Sequence, residues 1–114
     1  MKNKFVSFNN ILRKMIEALR SDNMEEFEKL DKKRADMLEE IKNLEFDGIS
    51  DGEREEIAKE VEESLKLTKI LMELGEEKKE KVKAELVRIK EARDVLLAYK
   101  PRLPEIPKFL DIKE

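Results

Sequence analysis

The sequence contains no histidine and no cysteine. The residue types that most often act as general base, thiol nucleophile or zinc ligand are therefore missing. A di-metal site of the ferritin type, which needs Glu-x-x-His, cannot be built. Glycine is scarce: two of the three glycines fall in Asp47-Gly48-Ile49-Ser50-Asp51-Gly52. They are too few for a phosphate-binding loop and precede no suitable strand, and the acidic spacing there does not match a twelve-residue EF-hand loop. No run approaches the about 18 consecutive apolar residues of a membrane span. Lys2 and Lys4 are followed by Val-Ser-Phe-Asn-Asn, not by an apolar core, so no signal peptide is expected and the expected compartment is the cytosol. These absences point away from an enzyme and away from any metal or cofactor. Function is to be sought in binding surfaces.

Charge is what the chain has in abundance. Charged residues make up 46% of the sequence, yet their signs interleave and the net charge is only −3. That argues against nucleic acid as a partner. The apolar fraction, 39%, is low for a globular domain, but the apolar residues recur with helical period. An all-α, elongated bundle with a thin core fits this pattern, and the length suits one domain.

Taken in order, residues 4–20 read as a first helix. Phe5, Phe8, Leu12, Met15 and Leu19 form a heptad-like seam. Ser21-Asp22-Asn23 reads as a restart, with Asp22 and Glu25 in capping-box spacing. A second helix is expected over 23–45, its face made by Met24, Phe27, Leu30, Met37 or Leu38, Ile41 and Leu44. Arg34 interrupts that face and reads as a rim residue whose stem packs while its head reaches water, with a specific buried ion pair as the rarer alternative. Residues 46–52 read as a reversing loop, and Ser50 with Glu53 as a second capping box. The third helix is expected over 53–99, with an apolar stripe broken around Gly75, Lys78 and Lys79. A break there would give four helices, but Leu74-Gly75-Glu76 has neither a capping residue nor a proline. One helix of roughly 70 Å is therefore the expectation. It is acidic from Glu53 to Glu77 and basic from Lys78 onwards, which suits the helix dipole. The sum is an antiparallel three-helix bundle or helical hairpin over residues 1–100. Residues 101–114, with Pro101, Pro104 and Pro107, are expected to form an extended tail.

The second helix, from Asp22 through Leu30 and Arg34 to Ile41, resembles the Leu-x-x-x-Arg helix of the flagellar type III export chaperones of the FliT and FlgN kind. Leu71-Met72-Glu73-Leu74 through Ala98-Tyr99 is similar to their last long helix, and Phe109-Leu110-Asp111-Ile112-Lys113 resembles the end of many of their tails. Gly75 departs from the family, which more often has Asn nearby. The resemblance implies a cytosolic chaperone that binds a helical terminal segment of a flagellar axial protein, such as the filament cap or a hook-associated protein. Delivery to the export ATPase and gate would follow. A coiled-coil scaffold acting through oligomerisation is the alternative, and the chaperone reading expects a monomer or homodimer.

For the client-facing stripe the sequence offers Val82, Leu86, Ile89, Leu96 and Tyr99, on the half of the long helix that would outrun the second. Packing on the first helix or on a dimer mate is the competing use of the same residues. Ile106 and Phe109 of the tail are expected to cover the same groove until a client displaces them.

Overall fold

A computed structural model describes residues 2–99. It contains four helices, α1 (Lys2–Arg20), α2 (Met24–Lys42), α3 (Asp51–Glu77) and α4 (Lys79–Tyr99), and no strand among the described residues. The tail, 101–114, expected to be extended, lies outside them, and so do Ile106 and Phe109.

α1 forms because its seam holds: Phe5, Phe8, Leu12, Met15 and Leu19 are all buried, with Ile11, Ile16 and Ala18 beside them. It ends in a Schellman-type turn. The Asn23 N–H donates to the Ala18 carbonyl at 2.8 Å and the Asp22 N–H to that of Leu19 at 3.1 Å. Asp22 takes the left-handed position of that turn, with φ of 58°. It therefore cannot also be the extended N-cap expected of it. The cap of α2 is Asn23, whose side chain accepts from the Glu26 N–H at 3.2 Å. Ser50 does cap α3, accepting from the Glu53 N–H at 3.1 Å. The connection before it starts earlier than expected, because α2 stops at Lys42. Phe46 of this connection tucks into the core, and Gly48 supplies the left-handed turn residue with φ of 81°.

The single long third helix is not found. α3 stops at Glu77, where Lys78 leaves helical geometry, and Val82 leaves it again with φ of −128° and ψ of 27°. Between these two residues lies one tight turn, closed by the Lys81 N–H on the Lys78 carbonyl at 2.8 Å. Two off-helix residues four apart reverse the chain without proline or a glycine cap. The longest dimension of the molecule is 42 Å, far short of an unbroken helix over 53–99. Folding back is favoured because it lets the apolar stripes of both halves bury each other instead of leaving one of them in water. Gly75 assists at the hinge: a Cβ on it would lie 2.8 Å from a Leu86 methyl, so its absence lets α3 and α4 come together.

Side-chain pairs give the topology. Lys4 meets Glu40, so α1 and α2 are antiparallel. Lys2 meets Glu56 and Arg13 meets Glu63, so α1 and α3 run parallel. Glu76 meets Lys90, so α4 returns along α3. The two hairpin turns sit at the same end, clasped by Asp22 to Lys78 at 2.6 Å. α1 packs closely on both α2 and α3; α4 packs chiefly on α3 and meets α2 along a thinner contact. A buried polar patch sets the α1–α3 register: Asn9 donates to the Glu60 carbonyl at 3.0 Å and to its carboxylate at 2.9 Å, while the Ser64 hydroxyl bonds Asn9.

Candidate functional site

α4 carries the residues expected to face a client, so its two sides decide the matter. Val82, Leu86, Ile89 and Leu96 share one helical face. That face points inward, and all four are buried. Val82, Ile89 and Leu96 join the core of α1, α2 and α3, and Leu86 lies against Gly75. The expected stripe is thus core in this conformation. The reason is the fold-back, which turned the free half of a long helix into the fourth member of a bundle. Tyr99 closes α4, and its side chain lies outside the description.

The outer side of α4 leaves Val87 and Leu97 exposed, at 56% and 45% of their surface. Leu97 belongs to an apolar groove of about 460 Å³ between α3 and α4, lined by Leu65, Lys69, Met72, Glu73, Arg93 and Leu97. Its floor is hydrocarbon and sulfur, and its charged groups stand at the rim. The Arg93 guanidinium lies 3.9 Å from the Met72 sulfur, so the arginine stem forms part of the wall. Leu65 and Met72 were legible in the sequence as apolar positions. Leu97 was not singled out, because it lies off the stripe that the periodicity follows.

On its other flank α4 faces α2 across a groove of about 360 Å³, whose lining includes Arg34, Ala35, Leu38, Arg88, Ala92 and Val95. Here the link is ionic. Asp31, with 1% of its side chain exposed, accepts from Arg34 Nε at 3.1 Å and Nη2 at 2.9 Å through Oδ1. Its Oδ2 accepts from Arg88 Nε at 2.8 Å, tying α2 to α4. Arg34 is only 2% exposed. It is not the rim residue expected but one member of a buried ion pair. No apolar periodicity could have flagged Asp31 as its partner, since both residues stand inside a run of charges.

Two carboxylates at the hinge end are held below the usual carboxylate range. Hydrogen bonding from Lys78 and its charge, with the charge of Lys81, lower Asp22. Hydrogen bonding from Lys90 and its charge do the same for Glu76. Among the described residues no cluster of side chains is suited to holding a metal ion.

A family model described as flagellar protein FliT matches residues 4–101. The match takes in all four helices apart from the first two residues of α1. The chain belongs to the FliT family. FliT proteins are flagellar export chaperones and not enzymes. No curated protein and no solved structure matches the chain. In this FliT-family chain, Leu30 and Arg34 of the Leu-x-x-x-Arg helix are both buried, the first as core and the second through Asp31. No described helix is long and apolar enough to cross a membrane.

Proposed function

We propose that the chain is a cytosolic flagellar export chaperone that holds a helical terminal segment of an axial protein and delivers it to the type III export apparatus. The filament cap or a hook-associated protein is the client, and the export ATPase a second partner. Membership of the FliT family carries this reading. What supports a seat for the client is the groove between α3 and α4, an apolar trough with a charged rim of the kind that receives the apolar face of an amphipathic helix. Val82, Leu86, Ile89 and Leu96 reach a client only when α4 leaves the core. Tyr99, Ile106 and Phe109 stand at and beyond its end, and the tail they begin covers the groove until the client arrives. The chaperone acts as a monomer or homodimer.

The test is a pull-down with a purified filament cap or hook-associated protein. Leu97→Glu places a charge at an exposed position, so it should leave the helical content intact and abolish retention. Retention unchanged in a folded Leu97→Glu chain would remove the groove from the reading. Deleting residues 101–114 should raise client affinity; unchanged or weaker binding would count against the tail as a cover. Leu86→Glu and Ile89→Glu are poor probes of binding, because both would put a charge into the core.

A further inference from the structure

We propose that the groove between α2 and α4 is a second protein-binding site. It takes a short stretch of a partner helix that carries a carboxylate on its inward face and basic residues beside it. α2 and α4 both run antiparallel to α1, so they are parallel to each other. Their mutual contact is thin, and it leaves open a furrow of about 360 Å³. Along α2 the furrow runs from Arg34 to Lys42, about 12 Å. Along α4 it runs from Arg88 to Val95, about 10 Å. That is the length of about two helical turns. Ala35 and Ala92 stand one on each wall, and small side chains let a further helix come close.

The furrow's unused donors and acids define the chemistry of the occupant. Arg34 is buried, and its Nε and Nη2 both donate to Asp31. Its Nη1 makes no hydrogen bond among the described residues, yet no buried side-chain nitrogen there lacks a partner. Nη1 therefore opens onto the furrow that Arg34 lines. Arg88 repeats the arrangement from the other wall. Its Nε donates to Asp31 Oδ2 at 2.8 Å, and its Nη2 stands 3.9 Å from Glu85. Two guanidiniums thus share the Asp31 carboxylate, and their remaining donors lie together at the hinge-side end of the furrow. A carboxylate accepts two such N–H groups at once in the fixed fork of a guanidinium. A neutral amide would bring an NH₂ against these donors, so the furrow discriminates Glu from Gln. On the rims the sign is reversed. Asp36 of α2 and Glu91 of α4 are exposed and make no ion pair among the described residues. They match lysine or arginine on either side of the partner's inward carboxylate. The α3–α4 groove, on the far flank of α4, is apolar instead. The two sites select different partners, and this one does not depend on the client reading.

The probe is an acetylated and amidated peptide of about 15 residues, long enough to hold a helix. It has a face of Leu and Ala, one central Glu on that face and Lys beside it. It is compared with the same peptide carrying Gln in an NMR titration of the full chain. The signals read are the Nε–H groups of Arg34 and Arg88 and, in the other groove, the Met72 methyl. The Glu peptide should shift both arginine signals, leave Met72 in place and bind about tenfold tighter than the Gln peptide. Arg88→Gln, at a half-exposed position, should bring the two peptides to equal affinity. Asp36→Lys with Glu91→Lys, both on the surface, should weaken the Glu peptide about threefold. Equal affinity of the two peptides for the unaltered chain, or no binding of either, overturns the proposal. So does a shift of Met72 in place of the arginines. Inorganic phosphate or acetate at the same concentration should leave the arginine signals unmoved; matching shifts would make this a site for free anions and overturn the partner helix. No client enters the titration, so failure here and failure of the client reading are distinguishable.

Discussion

At the scale of single residues, the Asp31 carboxylate is the least replaceable polar group of the bundle. It is buried between two guanidiniums, and removing the inner one leaves Oδ1 without its donors while Arg88 still holds Oδ2. Arg34→Leu should therefore destabilise the chain by about 1.5–3 kcal/mol in urea denaturation. Replacing both members, as in Asp31→Leu with Arg34→Met, should recover most of that loss, because the desolvation penalty goes with the charges. Arg88→Leu should cost less, about 1 kcal/mol, since Arg88 is half-exposed and leaves the Asp31–Arg34 pair intact. Asp22 behaves differently, being exposed. Its acidity is raised in the folded chain, so its contribution is present above the unfolded carboxylate pKa and is lost as pH falls through the lower folded value. An NMR titration should find the Asp22 carboxyl below the usual range, and Lys78→Met should bring it back up.

At the scale of elements, the hinge between α3 and α4 is where local preference and packing disagree. Alanine at position 75 would favour a helix by about 1 kcal/mol over glycine. Its methyl would meet Leu86 at 2.8 Å in a buried contact, and overpacking of that kind costs about 1–3 kcal/mol. Gly75→Ala should thus lower the thermal midpoint despite its better propensity. In a Leu86→Val background, which shortens the clashing side chain, the same substitution should be less harmful. α4 is also the helix with the thinnest support. α1 is held from both sides, whereas α4 rests chiefly on α3 and is joined to α2 by ions. Native-state hydrogen exchange should find the amides of α4 less protected than those of residues 8–16 of α1. Equal protection across both helices would mean that α4 opens only when the whole bundle unfolds, and would weaken any role for its inner stripe in binding a client.

At the scale of the whole molecule, two antiparallel hairpins lie side by side with both turns at one end. Their apolar stripes are used up inside one chain: the seam of α1 and the inner face of α4 both end in a shared core. A scaffold acting through oligomerisation would use a seam open to other copies, and none of the long stripes seen in the sequence is free among the described residues. What remains outside is smaller, the α3–α4 groove and the exposed Val87 and Leu97. A surface of that size suits a single helical or extended segment better than a broad permanent interface.

The sequence by itself determined the helical class, the first helix almost to the residue, the Ser50 cap, the reversal before α3 and the family. All of these rest on local chemistry or on order along the chain: a period of three and four, a side chain bonding a backbone three residues on, a motif in its place. Only the tertiary structure decided that the last long run folds at Lys78, since no local stop signal is written there and the gain comes from burying two distant stripes together. It also decided that Val82, Leu86, Ile89 and Leu96 face inward, because periodicity shows that a face is apolar and not what covers it. The pairing of Arg34 and Asp31 with Arg88 belongs there too. Which of many charges is buried depends on the helix that closes over them, and the Arg88 it brings lies 57 residues after Asp31.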